Sequence, residues 1–135
     1  MDSCLICKSI TTINWWWFAA ATIVSFGIGG VWYSWLFAKA WIKVFKVEME
    51  GFTTASIVGT MFFQFVATLF FGLVFFILAK LSVGIAILTL SGFCGWQASM
   101  LKFQFGRTMD FFIAVAIRVG YTFVAGIVFI LFALI

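Results

Sequence analysis

The chain has 135 residues, of which 66% are hydrophobic, 21% aromatic and only 9% charged, with a formal net charge of +4. A soluble domain is about half apolar, so this composition excludes an ordinary water-soluble fold. The chain contains no His and no Pro, which removes imidazole as a haem ligand, zinc ligand or general base.

A bilayer core about 30 Å thick needs roughly 20 apolar helical residues to cross it. Four runs meet that requirement: Ile13 to Phe37, Ser56 to Ala79, Val83 to Phe105 and Met109 to Ile135. Membrane barrels alternate apolar and polar residues in segments of about ten. Stretches such as Met61-Phe62-Phe63 and Phe70-Phe71-Gly72-Leu73-Val74-Phe75-Phe76 do not alternate. The reading is an all-α integral membrane four-helix bundle, one domain over residues 1–135. Lys8 ahead of an apolar stretch containing Ala19-Ala20-Ala21 resembles a secretory signal. The apolar run is too long for a signal core of 7 to 15 residues, so the first span is expected to be retained.

Cys4-Leu5-Ile6-Cys7 precedes that span with the spacing of a redox pair or half a metal site. It has no second pair, and Cys94 falls inside the third span, so incidental or structural cysteines are the plainer expectation. Within the first span, Trp15, Trp16 and Trp17 mark one end and Trp32, Tyr33 and Trp35 the other. Trp16 and Trp35 lie about 29 Å apart along a straight helix, and Trp and Tyr favour the headgroup level. Both clusters are expected to act as depth anchors.

Beyond the span, Phe37, Trp41, Val44 and Phe45 share one side of a helical wheel, and Lys39, Lys43 and Lys46 the other. This pattern predicts a short amphipathic interfacial helix, with Lys39, Trp41, Lys43 and Lys46 at the membrane surface or on lipid headgroups. Glu48, Glu50 and Gly51 are expected to end it. Basic residues in short loops are held on the cytoplasmic side. Lys39, Lys43, Lys46, Lys102 and Arg107 flank the first and third links, against Lys8 and Lys80 opposite. Both termini are therefore expected outside the cytoplasm.

Small and polar residues recur every four positions: Ala21, Ser25, Gly29 and Tyr33; Ser56, Thr60, Gln64, Thr68 and Gly72; Ser91, Gly95 and Ser99. Helices associate in lipid through close approach at small residues and interhelical hydrogen bonds. Ser56, Thr60, Thr68, Gly72, Ser91, Gly95 and Ser99 are accordingly expected to face other helices, with a polar conduction path as the minority reading.

Arg118 is the anomaly of the fourth span, on a row with Asp110, Ala114, Thr122 and Gly126. A charge at depth is costly unless paired, hydrated or able to snorkel. The four acids, Asp2, Glu48, Glu50 and Asp110, lie at or beyond the span ends. Arg118 is expected to reach back toward the basic interface or to bond Gln64, Gln97 or Gln104; otherwise an anion, a lipid phosphate, or a carboxylate or carbonyl of another subunit completes the site, with Tyr121 nearby.

The stretch Gly30-Val31-Trp32-Tyr33-Ser34-Trp35-Leu36-Phe37-Ala38-Lys39-Ala40-Trp41, with Asn14-Trp15 and Gly120-Tyr121, resembles a family of small bacterial four-span membrane proteins of unknown function. That family carries Trp-Tyr-Ser-Pro followed closely by Phe, Lys and Trp. Trp35 stands where the family has proline, and Arg118 where a different polar residue is expected. The resemblance implies a four-helix integral membrane fold and brings no catalytic residues.

These features point to a noncatalytic accessory or structural subunit of a larger membrane protein complex, in a bacterial inner membrane. The alternative is a small oligomeric transporter or channel. Expected partners are membrane lipids and other integral membrane subunits, or self-association. No nucleic acid, metal or cofactor is expected.

Overall fold

The computed structural model describes residues 4–48, 50–51, 53–106 and 108–135. The fold is an all-α bundle of six helices: α1 (Leu5–Thr11), α2 (Trp15–Val31), α3 (Ala38–Phe45), α4 (Thr54–Leu81), α5 (Val83–Phe105) and α6 (Met109–Leu134). Four segments, Trp15–Leu36, Thr54–Leu81, Val83–Phe105 and Met109–Leu134, are long and apolar enough to cross a membrane. The chain is a multi-pass membrane protein, and its spans fall within two residues of those predicted at each end.

Polar side chains stand where the helices start. Asn14 accepts from the Trp16 amide, Thr53 from that of Ser56 and Ser82 from that of Ile85, each satisfying an amide that a helix start leaves free. Ser82 alone, in an extended conformation, links α4 to α5. Gly106, at φ 64°, follows the last residue of α5, a conformation that favours glycine.

The first span continues past Val31 as a π-helical turn, Trp32–Leu36, in which the Phe37 amide reaches the Trp32 carbonyl at 3.0 Å. Proline at position 35 would break such a helix; Trp35 instead carries it one turn further and is left exposed. The chain then swings through Phe37 (φ −121°) into α3, which ends at Lys46 in the left-handed conformation, before the acidic residues expected to stop it. The amphipathic assignment holds: Val44 is buried against Leu101 and Ala114, while Lys39, Lys43 and Lys46 are exposed and Trp41 is half-buried.

The interior is divided along the membrane normal. Away from α3, Phe18, Phe75, Phe76, Leu90, Phe129 and Ile130 form one continuous apolar core. Phe18 stacks edge-on against Phe76 at 5.6 Å and lies 6.0 Å from Phe129. Toward α3 the packing thins. From Thr54 to Ala67 every residue of α4 except Gly59 and Val66 is exposed, whereas from Thr68 to Ala79 only Phe70 and Val74 are. The described residues of α4 make no contact with α3.

The small-residue rows need correction. Thr68 and Gly72 pack inside as expected, but Ser56, Thr60, Ser91, Gly95 and Ser99 lie on the outer surface of the bundle. A four-residue repeat defines a stripe and does not state which way the stripe faces. The glycines that set helix separation are Gly29, Gly72, Gly120 and Gly126, against Tyr121, Phe129, Trp32 and Leu90 respectively. A Cβ at Gly72 would collide with the fully buried Phe129 ring. Gly72→Val is therefore expected to destabilise the bundle by about 1–3 kcal/mol through overpacking. Gly59→Ala, where a Cβ meets open space, should be tolerated; thermal unfolding in detergent compares the two.

Candidate functional site

Ser9 of α1 aside, the buried polar side chains gather where the tight and loose halves meet. Ser25 and Thr22 of α2, Thr68 of α4 and Tyr121 of α6 are all buried. The Tyr121 hydroxyl donates to the Ser25 carbonyl at 3.1 Å, and the Thr68 side chain lies beside it. Thr22 donates to the Phe18 carbonyl and Thr68 to that of Gln64. Ser25 Oγ has no partner among the described residues. Most of these hydroxyls thus return to helix carbonyls, which lets them be buried in an apolar setting. Tyr121 is the one ionisable side chain of this arrangement.

A second clamp binds the π-helical turn to α6. Trp32 Nε1 donates to the Ile117 carbonyl at 2.8 Å, and its ring lies over Gly120. Trp32 is consequently half-buried, and Tyr33 stacks edge-on against Tyr121 at 5.5 Å. The two faced the lipid interface in the depth-anchor reading and in the structure turn inward; Trp15, Trp16, Trp17 and Trp35 are exposed as anchors should be. The signal for the clamp was Gly120, the small residue that admits an indole, but composition alone gives no hint that Trp32 is its occupant.

Arg118 is exposed and sits one turn beyond the buried Ala114. Its Cζ lies 5.2 Å from the ring centroid of Phe45, the last residue of α3, within cation–π range. Helical side chains lean toward the helix amino terminus, and this lean brings the guanidinium to the level of α3. Among the described residues no side-chain hydrogen bond joins it to Gln64, Gln97 or Gln104, so that part of the expectation is not met.

The predicted group of Arg118, Tyr121, Gln64, Gln97 and Gln104 is split. Tyr121 lies in the core, Gln64 and Gln104 are exposed, and Gln97 is half-buried with its Oε1 buried and without a donor. Leu90 meets Gly126 and Leu101 meets Ala114 in the antiparallel α5–α6 pair, so Gln97 falls at the level of Arg118. Gln64 shares its side of α4 with Phe71, seven residues on, which packs toward Phe93 of α5. Gln64 thus lies on the part of α4 that stands apart from α3. Arg107 lies outside the described residues.

Cys4 and Cys7 are exposed free thiols at the start of α1, and Cys94 is buried. The Cys7 amide points at Cys4 Sγ, outside strict hydrogen-bond geometry, and with the Cys7 side chain draws the Cys4 thiol below its ordinary titration range; the same contact raises Cys7. No cluster of three His, Cys, Asp or Glu occurs among the described residues.

The chain matches no family model, no curated protein and no solved structure.

Two outcomes are expected. Tyr121→Phe removes the interhelical bond to Ser25 and should lower stability by about 0.6–2 kcal/mol, read as a lower thermal midpoint with the oligomeric state unchanged. Since the thiolate is the reactive form, Cys4 should be alkylated by iodoacetamide at lower pH than Cys7. Mass spectrometry of the two sites across a pH series measures this directly.

Proposed function

We propose that the protein is a noncatalytic integral membrane subunit that packs within a larger membrane assembly. The observation that carries this reading is Gln64. It lies about 15 Å along α4 from Thr54, exposed, with no side-chain hydrogen bond among the described residues. An unsatisfied amide in hydrocarbon costs several kcal/mol. Ser and Thr on the same stripe do not raise this difficulty, since Thr60 bonds the Ser56 carbonyl at 2.9 Å. A second membrane protein that donates to and accepts from Gln64 removes the cost. The interface would extend over the exposed row Ser56, Thr60 and Gln64, where small side chains allow close backbone approach.

The alternative, a small oligomeric transporter or channel, draws support from the buried hydroxyls around Tyr121. Beyond them Phe75, Phe76, Leu90 and Phe129 fill the interior, so a path within one chain would end at that layer. Transport would then need an interface between copies.

The basic character of the α3 end supports a placement facing the cytoplasm. Both termini would then lie on the opposite side, in a bacterial inner membrane. The resemblance to small four-span membrane proteins fits this placement and adds no activity.

Native mass spectrometry of the protein extracted from its own membranes in mild detergent tests the assembly. The expected result is a stoichiometric complex with other membrane proteins, lost in Gln64→Leu while the chain stays folded. A monomer in the wild type would overturn the subunit reading. A homo-oligomer without other proteins would replace it with the transporter alternative, to be followed by liposome flux.

A further inference from the structure

Cys4 and Cys7 are nucleophilic groups that the packing role leaves unused. Both are exposed free thiols. The Cys4 carbonyl accepts from the Lys8 amide at 3.0 Å, so the two cysteines lie on one helical turn. Three residues apart along a helix, their Cα atoms are about 5 Å from each other, inside the range of about 4.4–6.8 Å that a disulfide bridges. The backbone therefore already stands at bridging distance.

The pair is anchored and turned outward. α1 packs against α4, Ser9 is buried and donates to the Leu5 carbonyl at 2.9 Å, and Ile13 just beyond α1 enters the apolar core. The thiols are presented from this fixed helix, with exposed Leu5 and Ile6 between them in sequence. A closed zinc site takes four ligands, and no group of three His, Cys, Asp or Glu occurs among the described residues, so the arrangement suits the chemistry of two thiols. The two are also unequal: the Cys7 amide and thiol draw Cys4 below its ordinary titration range, and the same contact raises Cys7. Since the thiolate is the attacking form, Cys4 is the first nucleophile, and Cys7 keeps its proton until the second step.

We infer that Cys4 and Cys7 form a redox dithiol at the membrane surface that exchanges with the disulfide of a second molecule. The Cys4 thiolate attacks one sulfur of that disulfide; a mixed disulfide forms, the original sulfur–sulfur bond breaks, and its electron pair leaves on the departing thiolate, which takes up the proton that Cys4 released. Cys7 then attacks Cys4 Sγ and displaces the second sulfur as a thiolate, which takes up the Cys7 proton. The second molecule gains two electrons and becomes two thiols, and Cys4–Cys7 becomes a disulfide. The reverse sequence reduces the pair again. The exchange is stoichiometric, one disulfide per chain, and stands independently of the Gln64 contact, on a different helix and a different observation.

The test treats reduced full-length protein in mild detergent with glutathione disulfide or with a cystine-bridged peptide, quenches with acid, and reads intact mass and mapped peptides. The expected result is the loss of two hydrogens at Cys4–Cys7, reversed by dithiothreitol, with the buried Cys94 unmodified. Faster closure with the peptide identifies polypeptide disulfides as the partners, and faster closure with glutathione disulfide identifies low-mass ones. In Cys7→Ser the mixed disulfide on Cys4 should accumulate, because nothing resolves it. In Cys4→Ser the adduct on Cys7 should form several-fold more slowly near neutral pH, where the rate follows the thiolate fraction. Both side chains are exposed, and an unchanged thermal midpoint shows that each variant is folded. Wild-type protein that carries two stable adducts, forms disulfides only between chains, or does not react overturns the dithiol. Equal adduct rates in the two variants overturn the assigned order of attack.

Discussion

Lipid gives apolar side chains no preference for one another, so the assembly of these four spans depends on how closely their backbones approach, and α6 sets that distance. It packs against α2, α3, α4 and α5, and at its contacts a glycine meets a large ring or branched side chain. Leu90 enters at Gly126, Trp32 at Gly120, and Phe129 of α6 itself at Gly72 of α4. Each pairing places a bulky knob where the opposite helix has no side chain. Dispersion contacts, individually small, then accumulate over a dense interface. The far half of the bundle is densely packed for this reason, with a Phe-rich core.

The other half obeys a different constraint. The π-helical turn at Trp32–Leu36 redirects the chain into α3, and Val44 then covers Ala114 and Leu101. These are the surfaces that the first half of α4 would otherwise use. With α3 in that position the first half of α4 stands away, and Gln64 is left exposed. The loose half is thus a consequence of where α3 lies.

Much of the architecture could be read from the residues. The spans followed from length and apolarity, since the bilayer thickness fixes how many residues are needed. The amphipathic helix followed from three lysines opposite Trp41, Val44 and Phe45. Facing was harder. Ser56, Thr60, Ser91, Gly95 and Ser99 form regular rows, yet in lipid both faces of a helix are apolar, and a polar stripe marks either a protein contact or an unpartnered surface. Thr68 and Gly72 could be told from Ser56 and Thr60 only after the helix separations were known. Trp32 illustrates the same limit: a Trp near a span end reads as an anchor, and its indole bond to Ile117 depends on a π-turn that no periodicity announces.

Arg118 joins these themes. Its neighbours at intervals of four and seven, Ala114 and Ala125, are both buried, so the helical phase directs it inward, where an unpaired charge would be untenable. It is exposed, and it is cushioned because α3 brings Phe45 beneath it. Had α4 packed along its whole length, Arg118 would have needed a carboxylate from within the chain, and the one acid of α6, Asp110, stands about 12 Å away along the helix. The position of α3, which supplies Phe45, makes the charge admissible.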